Sequence, residues 1–481
     1  MGQALNSGLR VIDSRFFELF CGAIDEALEY VRQAGTGKTH IGNHENWPEL
    51  RYHEESGLPW VCTSAQGPEN YGDAISGIYP ALFALGTGRP SLDFGKDRSF
   101  MALGDYAKAQ PRLQQYLVFE PREFGTTRLH MMVAYALDRY VHRTGRTDLD
   151  RADLLPIYVP LEKYLFSSVL PIVVVVPILF LKFDFSQLQI SKSVLVDRLS
   201  DEFHLARGWP GPFSDADNSL VESAATHGLF IRDISFKNET WLKLGQIEME
   251  PGSYPVESVD AFFASLRIAT GYPTGYAQMV ALPVGWASSY AADITPVSGP
   301  RVEKYPPFFK DAYWRGDVPT VTSSQAAAVK EIFNGLQKVF ETPDAQKVRV
   351  AMHRLNLSAT RTSDEDGIID SVIAMESLLS DDTQEMTHKV AMRLGALYKI
   401  LDPSRAVEAV AEMKRIYRFR SKVVHGSADS DKDREINRGE GKIATIDAAL
   451  EHLRNAFATL IKNPALLDPK KIDDFLLTDT F

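Results

Sequence analysis

One run of residues constrains this chain more than any other. From Leu165 to Leu181 it reads LFSSVLPIVVVVPILFL, without a single charge. Such a segment has to be hidden from water, in lipid or in a protein core. A membrane-spanning helix needs about 20 apolar residues. This run is shorter, is interrupted by Pro171 and Pro177, and is dominated by Val and Ile. Proline breaks a helix interior, whereas β-branched side chains suit a pleated surface. The run therefore predicts two buried strands joined at proline, in a chain that does not enter a membrane.

The sequence around that run divides into three parts. Residues 1–165 predict a mostly helical region, with apolar residues at helical spacing in Phe16–Arg32 and Leu129–His142 and an irregular stretch rich in Gly and Pro between them. Residues 166–320 predict a mixed α/β or β-rich domain. VVVVPILFLKFDF, SKSVLVDRL and HGLFIRDISF read as strands, and Val256–Thr270 as a helix. Residues 321–481 predict an all-helical bundle, so the fold class is α+β multidomain. Its helices are expected after the capping residues of VTSSQ, then at 345–355, 366–380, 384–400, 404–425 and 442–461, with a polar loop over 427–439. At 481 residues the chain exceeds one ordinary hydrophobic core, which agrees with two or three domains.

Composition removes several function classes. Cys21 and Cys62 are the only cysteines, too few for a disulfide scaffold or a cysteine-rich zinc module, and they fit the reducing cytoplasm. The N-terminus lacks the apolar core of a secretory signal, and Asn6 stands where a myristoylation signal has Ser or Thr. Gly35-Thr36-Gly37-Lys38-Thr39 imitates a phosphate loop, but Arg32 replaces the required first glycine and a helix precedes it, so a solvated turn is expected. His40 and His44 have helical ligand spacing, yet Gly42 separates them and no third ligand is placed. No metal and no cofactor is expected.

The C-terminal helices carry the informative anomalies. At about 100° per residue, Val410, Met413, Tyr417 and Val424 form one apolar stripe, and Arg420 lies inside it. Lys414, Arg415, Arg418 and Lys422 add to a local basic patch without an acidic residue between Met413 and His425. An acidic chain of net charge −11 can still attract a phosphate backbone through such a patch, because screening confines each field to roughly 10 Å. Two helices earlier, Glu376 falls among Ile369, Val372, Ile373 and Leu379. A guanidinium or a carboxylate on an apolar face requires a partner, and for Glu376 the candidates are Arg420 and Arg393. A structural ion pair inside the bundle explains both anomalies as well as a functional site does.

His425 follows Arg420 by five positions, at the expected helix end before Gly426. Arg-x4-His is a weak motif by itself. A longer version, Arg198 to His204, lies outside the helical bundle and reads as coincidence. Together with DEDGIIDSVIAMESLLSDDTQEMTHKVAMRLGALYKIL, however, YRFRSKVVHG resembles the HEPN superfamily, and within it the Apea-like branch found in bacterial anti-phage defence, over about residues 325–465. The resemblance implies a helical bundle that forms a homodimer or a higher homo-oligomer, joining two Arg-x4–6-His motifs into one ribonuclease site. By position, Arg420 and His425 match the motif and Glu376 matches the acidic residue of the earlier helix. The residue after the arginine is often Asn, Asp or His in the family; Ser421 stands there, polar but shorter.

These residue types suit metal-independent RNA cleavage. RNA supplies its own 2′-hydroxyl nucleophile, a histidine can move the proton near neutral pH, and an arginine offers a permanent cationic fork to the phosphate. The expected products are a 2′,3′-cyclic phosphate and a 5′-hydroxyl, from tRNA or other host RNA. Lys414, Arg415, Arg418, Ser421 and Lys422 would serve as accessory RNA contacts. Residues 1–320 would sense a phage-derived trigger or otherwise regulate the nuclease. The alternative is a non-catalytic HEPN module for dimerisation or RNA binding.

Overall fold

The charge-free run forms one strand rather than two. In the computed structural model, β3 (Val169–Pro177) is an inner strand of a five-stranded antiparallel sheet. The described residues are 9–34, 41–75, 93–117, 127–208, 219–312, 318–381, 384–426 and 430–478. The glycine-rich segment 35–39 and His40 lie outside them. Pro171 does not split the strand because it sits at the outer end, beyond the β9 register that starts at Ile172. Its carbonyl still accepts from the Val284 N–H at 3.1 Å and the Trp286 indole at 2.8 Å. Pro177 closes the strand. Among the described residues no helix is long and apolar enough to cross a membrane.

The N-terminal helices are α1 (Ser14–Ala34), α2 (Arg98–Ala109), α3 (Pro111–Leu117), α4 (Thr127–Thr144) and α5 (Arg151–Phe166). They bury Phe16, Phe20, Tyr140 and Tyr158 in a core of their own. Part of the stretch expected to be irregular is instead a hairpin of β1 (Trp47–Tyr52) and β2 (Pro59–Ala65). The sheet runs in the order β5 (Gln187–Gln189), β6 (Val194–Arg198), β7 (His227–Lys237), β3 and β9 (Val280–Pro283). Beside it β8 (Tyr276–Gln278) pairs antiparallel with β10 (Arg301–Lys304). Helices α6 (Asp201–Gly208), α7 (Trp241–Met249) and α8 (Val256–Thr270) accompany it. The protein is thus mixed α/β with a helical C-terminal region.

The packing does not break at residue 320. Strand β11 (Thr320–Val321) pairs in parallel with β4 (Lys182–Phe183), and Thr322 then caps α9 (Ser323–Val339) in a reciprocal capping box with Gln325. Helix α8 is apolar nearly all round, because it packs on α9 and its Phe262, Phe263 and Leu266 belong to one core cluster running from Leu170 to Phe475. The helical region continues through α10 (Ala345–Ser358), α11 (Asp364–Leu379), α12 (Met386–Leu401), α13 (Ala406–Val424), α14 (Thr445–Lys462) and α15 (Pro469–Thr478). The expected loop and the expected start of the next helix contain a hairpin instead. Its strands are β12 (Glu435–Arg438) and β13 (Gly441–Ala444), so α14 begins at Thr445 rather than Lys442.

Candidate functional site at the end of helix α13

Helix α13 is preceded by a 3-10 turn at Pro403–Arg405 and ends where Gly426 takes a left-handed φ of +63°. The His425 and Gly426 N–H groups donate to the carbonyls of Ser421 at 3.1 Å and Val423 at 3.2 Å. Its buried face consists of Ala409, Glu412, Met413, Ile416, Tyr417 and Phe419. Arg420 returns to that face seven residues after Met413, and its side chain is half-buried. Val424, expected on the same stripe, is 51 % exposed because the last turn runs past the core. His425 is exposed just beyond it.

The buried Nε of Arg420 has no hydrogen-bond partner among the described residues, and the buried Tyr417 hydroxyl one turn before it interacts with the Glu376 carboxylate. Burial pushes the Tyr417 phenol well above its usual pKa; the Glu376 carboxylate adds to this and Arg420 opposes it. The three side chains therefore share one electrostatic neighbourhood, without an ion pair between Glu376 and Arg420 among the described residues. Sequence periodicity had no reason to single out Tyr417, which looks like an ordinary apolar-face residue.

Of the two candidate partners of Glu376, Arg393 is engaged elsewhere. The Arg393 side chain is 2 % exposed and engaged by groups other than Glu376. Its guanidinium donates to both Asp473 oxygens at 2.9 and 2.7 Å, to Asp381 at 2.9 Å and to the Leu379 carbonyl at 2.8 Å. Asp473 lies on α15, a helix beyond those expected from sequence periodicity. Glu376 itself is half-buried at the margin of α11 beside the half-buried Ile369 and Ile373; the inner face is Ile368, Val372, Met375 and Leu379. The buried carboxylate of α11 is Asp370, which accepts from Arg354 at 2.6 Å and Arg361 at 2.8 Å.

On the outer side of α13, Lys414, Arg415, Arg418 and Ser421 are exposed, while Lys422 is ion-paired with Asp433 at 2.7 Å. Arg415 and Arg418 form no ion pair among the described residues. They line a polar cavity of about 610 Å³ between α13 and the hairpin, facing Lys432, Arg434 and Lys442. Glu435 pairs with Lys442 at 2.8 Å, and Glu365 pairs with Arg434. Folding thus enlarges the basic patch with three cations, Lys432, Arg434 and Lys442, that lie on the following hairpin segment and could not be assigned to it by local spacing.

Away from this site, His44, Asp138 and His142 meet in the N-terminal region. Asp138 takes the His44 Nε2 at 2.9 Å, the His142 Nε2 at 3.5 Å, and the N–H groups of Tyr71 at 2.9 Å and Ala292 at 2.6 Å. Burial would raise its pKa, but the two imidazoles and the Ala292 N–H outweigh it and hold the carboxyl at about 2. With its lone pairs filled by donors, the carboxylate acts as a clamp between distant segments. His204, the end of the second Arg–His spacing, is buried and its Nδ1 accepts from Arg207 at 3.0 Å, away from solvent.

No known protein family, no curated protein and no solved structure matches this chain.

Proposed function

We propose that this protein is a metal-independent endoribonuclease of HEPN type, with Arg420 and His425 of two copies forming one composite site. The observation that carries this reading is the guanidinium of Arg420. It lies in phase with a buried helix face, keeps a buried N–H without an acceptor among the described residues, and precedes an exposed histidine by five positions. An arginine that is half-buried and unpaired costs stability unless an anion or a second chain completes it. A scissile phosphate supplies that anion. His425 then moves the 2′-hydroxyl proton, and Arg420 stabilises the charge that builds on the phosphate oxygens. Glu376 and Tyr417 position Arg420. Residues 1–320 regulate the nuclease in anti-phage defence, with tRNA or other host RNA as substrate.

Incubation of the purified chain with total RNA in EDTA tests the reading. New 2′,3′-cyclic phosphate and 5′-hydroxyl ends should accumulate with wild type, and be absent with His425→Ala and Arg420→Ala at unchanged melting temperature. Cleavage that needs a divalent ion, or that survives both substitutions, rejects it.

A second reading, RNA binding without cleavage, is favoured by one observation: the basic cavity is lined by Arg415 and Arg418 but not by Arg420 or His425. Under that reading RNA binds with unchanged affinity to His425→Ala and no new ends form with either protein.

A further inference from the structure

A second cavity, of about 510 Å³, opens where helices α4 and α5 meet the sheet. Arg139 and Arg143, one helical turn apart on α4, line it together with Arg198 from the end of β6. Among the described residues none of the three forms an ion pair at contact distance, although Asp293 and Glu202 attract Arg139 from further off. Arg139 is half-buried: its guanidinium lies 4.4 Å from the Tyr290 ring centroid and donates one long hydrogen bond, 3.3 Å, to the Ala292 carbonyl. Its other N–H groups have no acceptor among the described residues; Arg143 on the next turn repels it, and Asp293 and Glu202 each offset this less strongly. An anion seated between the two guanidinium groups would relieve that repulsion. Two or three converging guanidinium forks are the arrangement that recognises phosphate oxygens.

The remaining lining is equally selective. Phe203, Phe230 and Trp286 supply flat apolar surface on the sheet side. Asp197 and Glu202 supply acceptors that suit hydroxyl or ring N–H donors rather than the phosphate. A cavity of this size, with a cationic end, aromatic walls and a few acceptors, has the dimensions of an ordinary small-molecule site. We infer that this cavity binds a nucleoside phosphate, its phosphate held by Arg139, Arg143 and Arg198 and its base against the aromatic wall. The site joins the N-terminal helices to the sheet, so its occupant would tighten that joint. This inference does not depend on the ribonuclease reading.

The test is calorimetric titration of the full chain with AMP, with adenosine and inorganic phosphate as the separated halves. AMP should bind and raise the melting temperature by about 2–3 °C at a hundredfold excess over its Kd. Each half alone should bind at least tenfold more weakly. Arg139→Gln should weaken AMP by at least tenfold; should that variant fail to fold, Arg143→Gln and Arg198→Gln, both at exposed positions, should each weaken it several-fold. No binding of AMP at millimolar concentration, or binding unchanged in the folded arginine variants, overturns the inference.

Discussion

Arg438 holds Glu412 at two points, its Nε donating to Oε1 at 2.8 Å and its Nη2 to Oε2 at 2.7 Å. The same carboxylate meets the His452 Nε2 at 2.8 Å, and the His452 Nδ1 is 2.8 Å from the Tyr398 hydroxyl. Glu451 joins Arg438 to Arg405, at 2.6 Å on each side. This network fixes the β12–β13 hairpin against α13 and α14, which gives the basic cavity its second wall. It is the polar constellation in the helical region whose buried carboxylate is most fully satisfied, as a low-dielectric setting requires.

A first prediction follows from the charge of Glu412. Burial alone would raise its pKa, but His452 and Arg438 outweigh that and hold it at about 2 instead of 4.5. A carboxyl depressed in the folded state stabilises the fold fully above its unfolded pKa and loses that contribution as pH falls through the folded one. Glu412→Gln should therefore cost about 3 kcal/mol at pH 7. The gap between variant and wild type should close as pH drops from about 4.5 towards 2. Urea titrations at several pH values measure it; a gap that stays constant on acidification refutes the assignment.

Sequence periodicity located the helices of the C-terminal region closely but misjudged which charges matter. Arg420 was visible because its phase is set by residues on its own helix. Glu412 lies on the same buried face, yet its partners Arg438 and His452 come from a hairpin and a later helix. Asp370 escaped for the same reason, since Arg354 and Arg361 reach it from α10 and the loop that follows. The strand at Val169–Pro177 was legible from composition. Its continuity was not, because Pro171 is tolerated only through the place where β9 ends, opposite Ile172. Helix α8 was legible as a helix, but its role in tying the sheet to the bundle appears only in three dimensions.

The Asp370 carboxylate gives a second prediction. Asp370 is 1 % exposed and takes two arginines. Asp370→Asn should cost about 3 kcal/mol or more, since two guanidinium groups would then face a neutral amide. Thermal unfolding should show the loss. A variant of unchanged stability would mean that the two arginines are solvated well enough to need no partner.

Arg415 and Arg418 test the basic cavity. Exposed and free of ion pairs among the described residues, they contribute little to stability, so Arg415→Gln with Arg418→Gln should leave the melting temperature unchanged. If both contact the RNA backbone, log–log salt titrations of affinity for single-stranded RNA should lose roughly 1.4 from the slope, about 0.7 per phosphate contact. Anisotropy with a labelled oligonucleotide reads this directly. An unchanged slope would move the RNA path elsewhere.

Self-association is the next expectation, since one chain carries half of the proposed site. Ile369 and Ile373 are half-buried beside Glu376, and Val424 is exposed beside Arg420, so the rim of the site offers apolar surface to a second copy. Light scattering at micromolar concentration should give at least a dimer, and Ile373→Arg should shift it to monomer and abolish cleavage together. A strict monomer that still cleaves would separate activity from pairing.

The neighbourhood of Glu376 distinguishes positioning from plain structure. Arg393 is saturated by Asp473 and Asp381, so Arg393→Ala should cost about 3–5 kcal/mol and add independently to Glu376→Gln. Arg420 and Tyr417 should behave otherwise. The buried Tyr417 hydroxyl interacts with the Glu376 carboxylate, so Tyr417→Phe exchanges that interaction for relief of desolvation and should change stability by no more than about 1 kcal/mol. If Glu376 and Tyr417 hold Arg420 for catalysis, Glu376→Gln and Tyr417→Phe should keep the fold and lower the cleavage rate at saturating RNA without changing RNA affinity. Each should also be non-additive in rate with Arg420→Lys, a variant that keeps charge but loses the planar fork. Strict additivity in rate, with both variants active, would reduce Glu376 and Tyr417 to neighbours of Arg420 that do not position it.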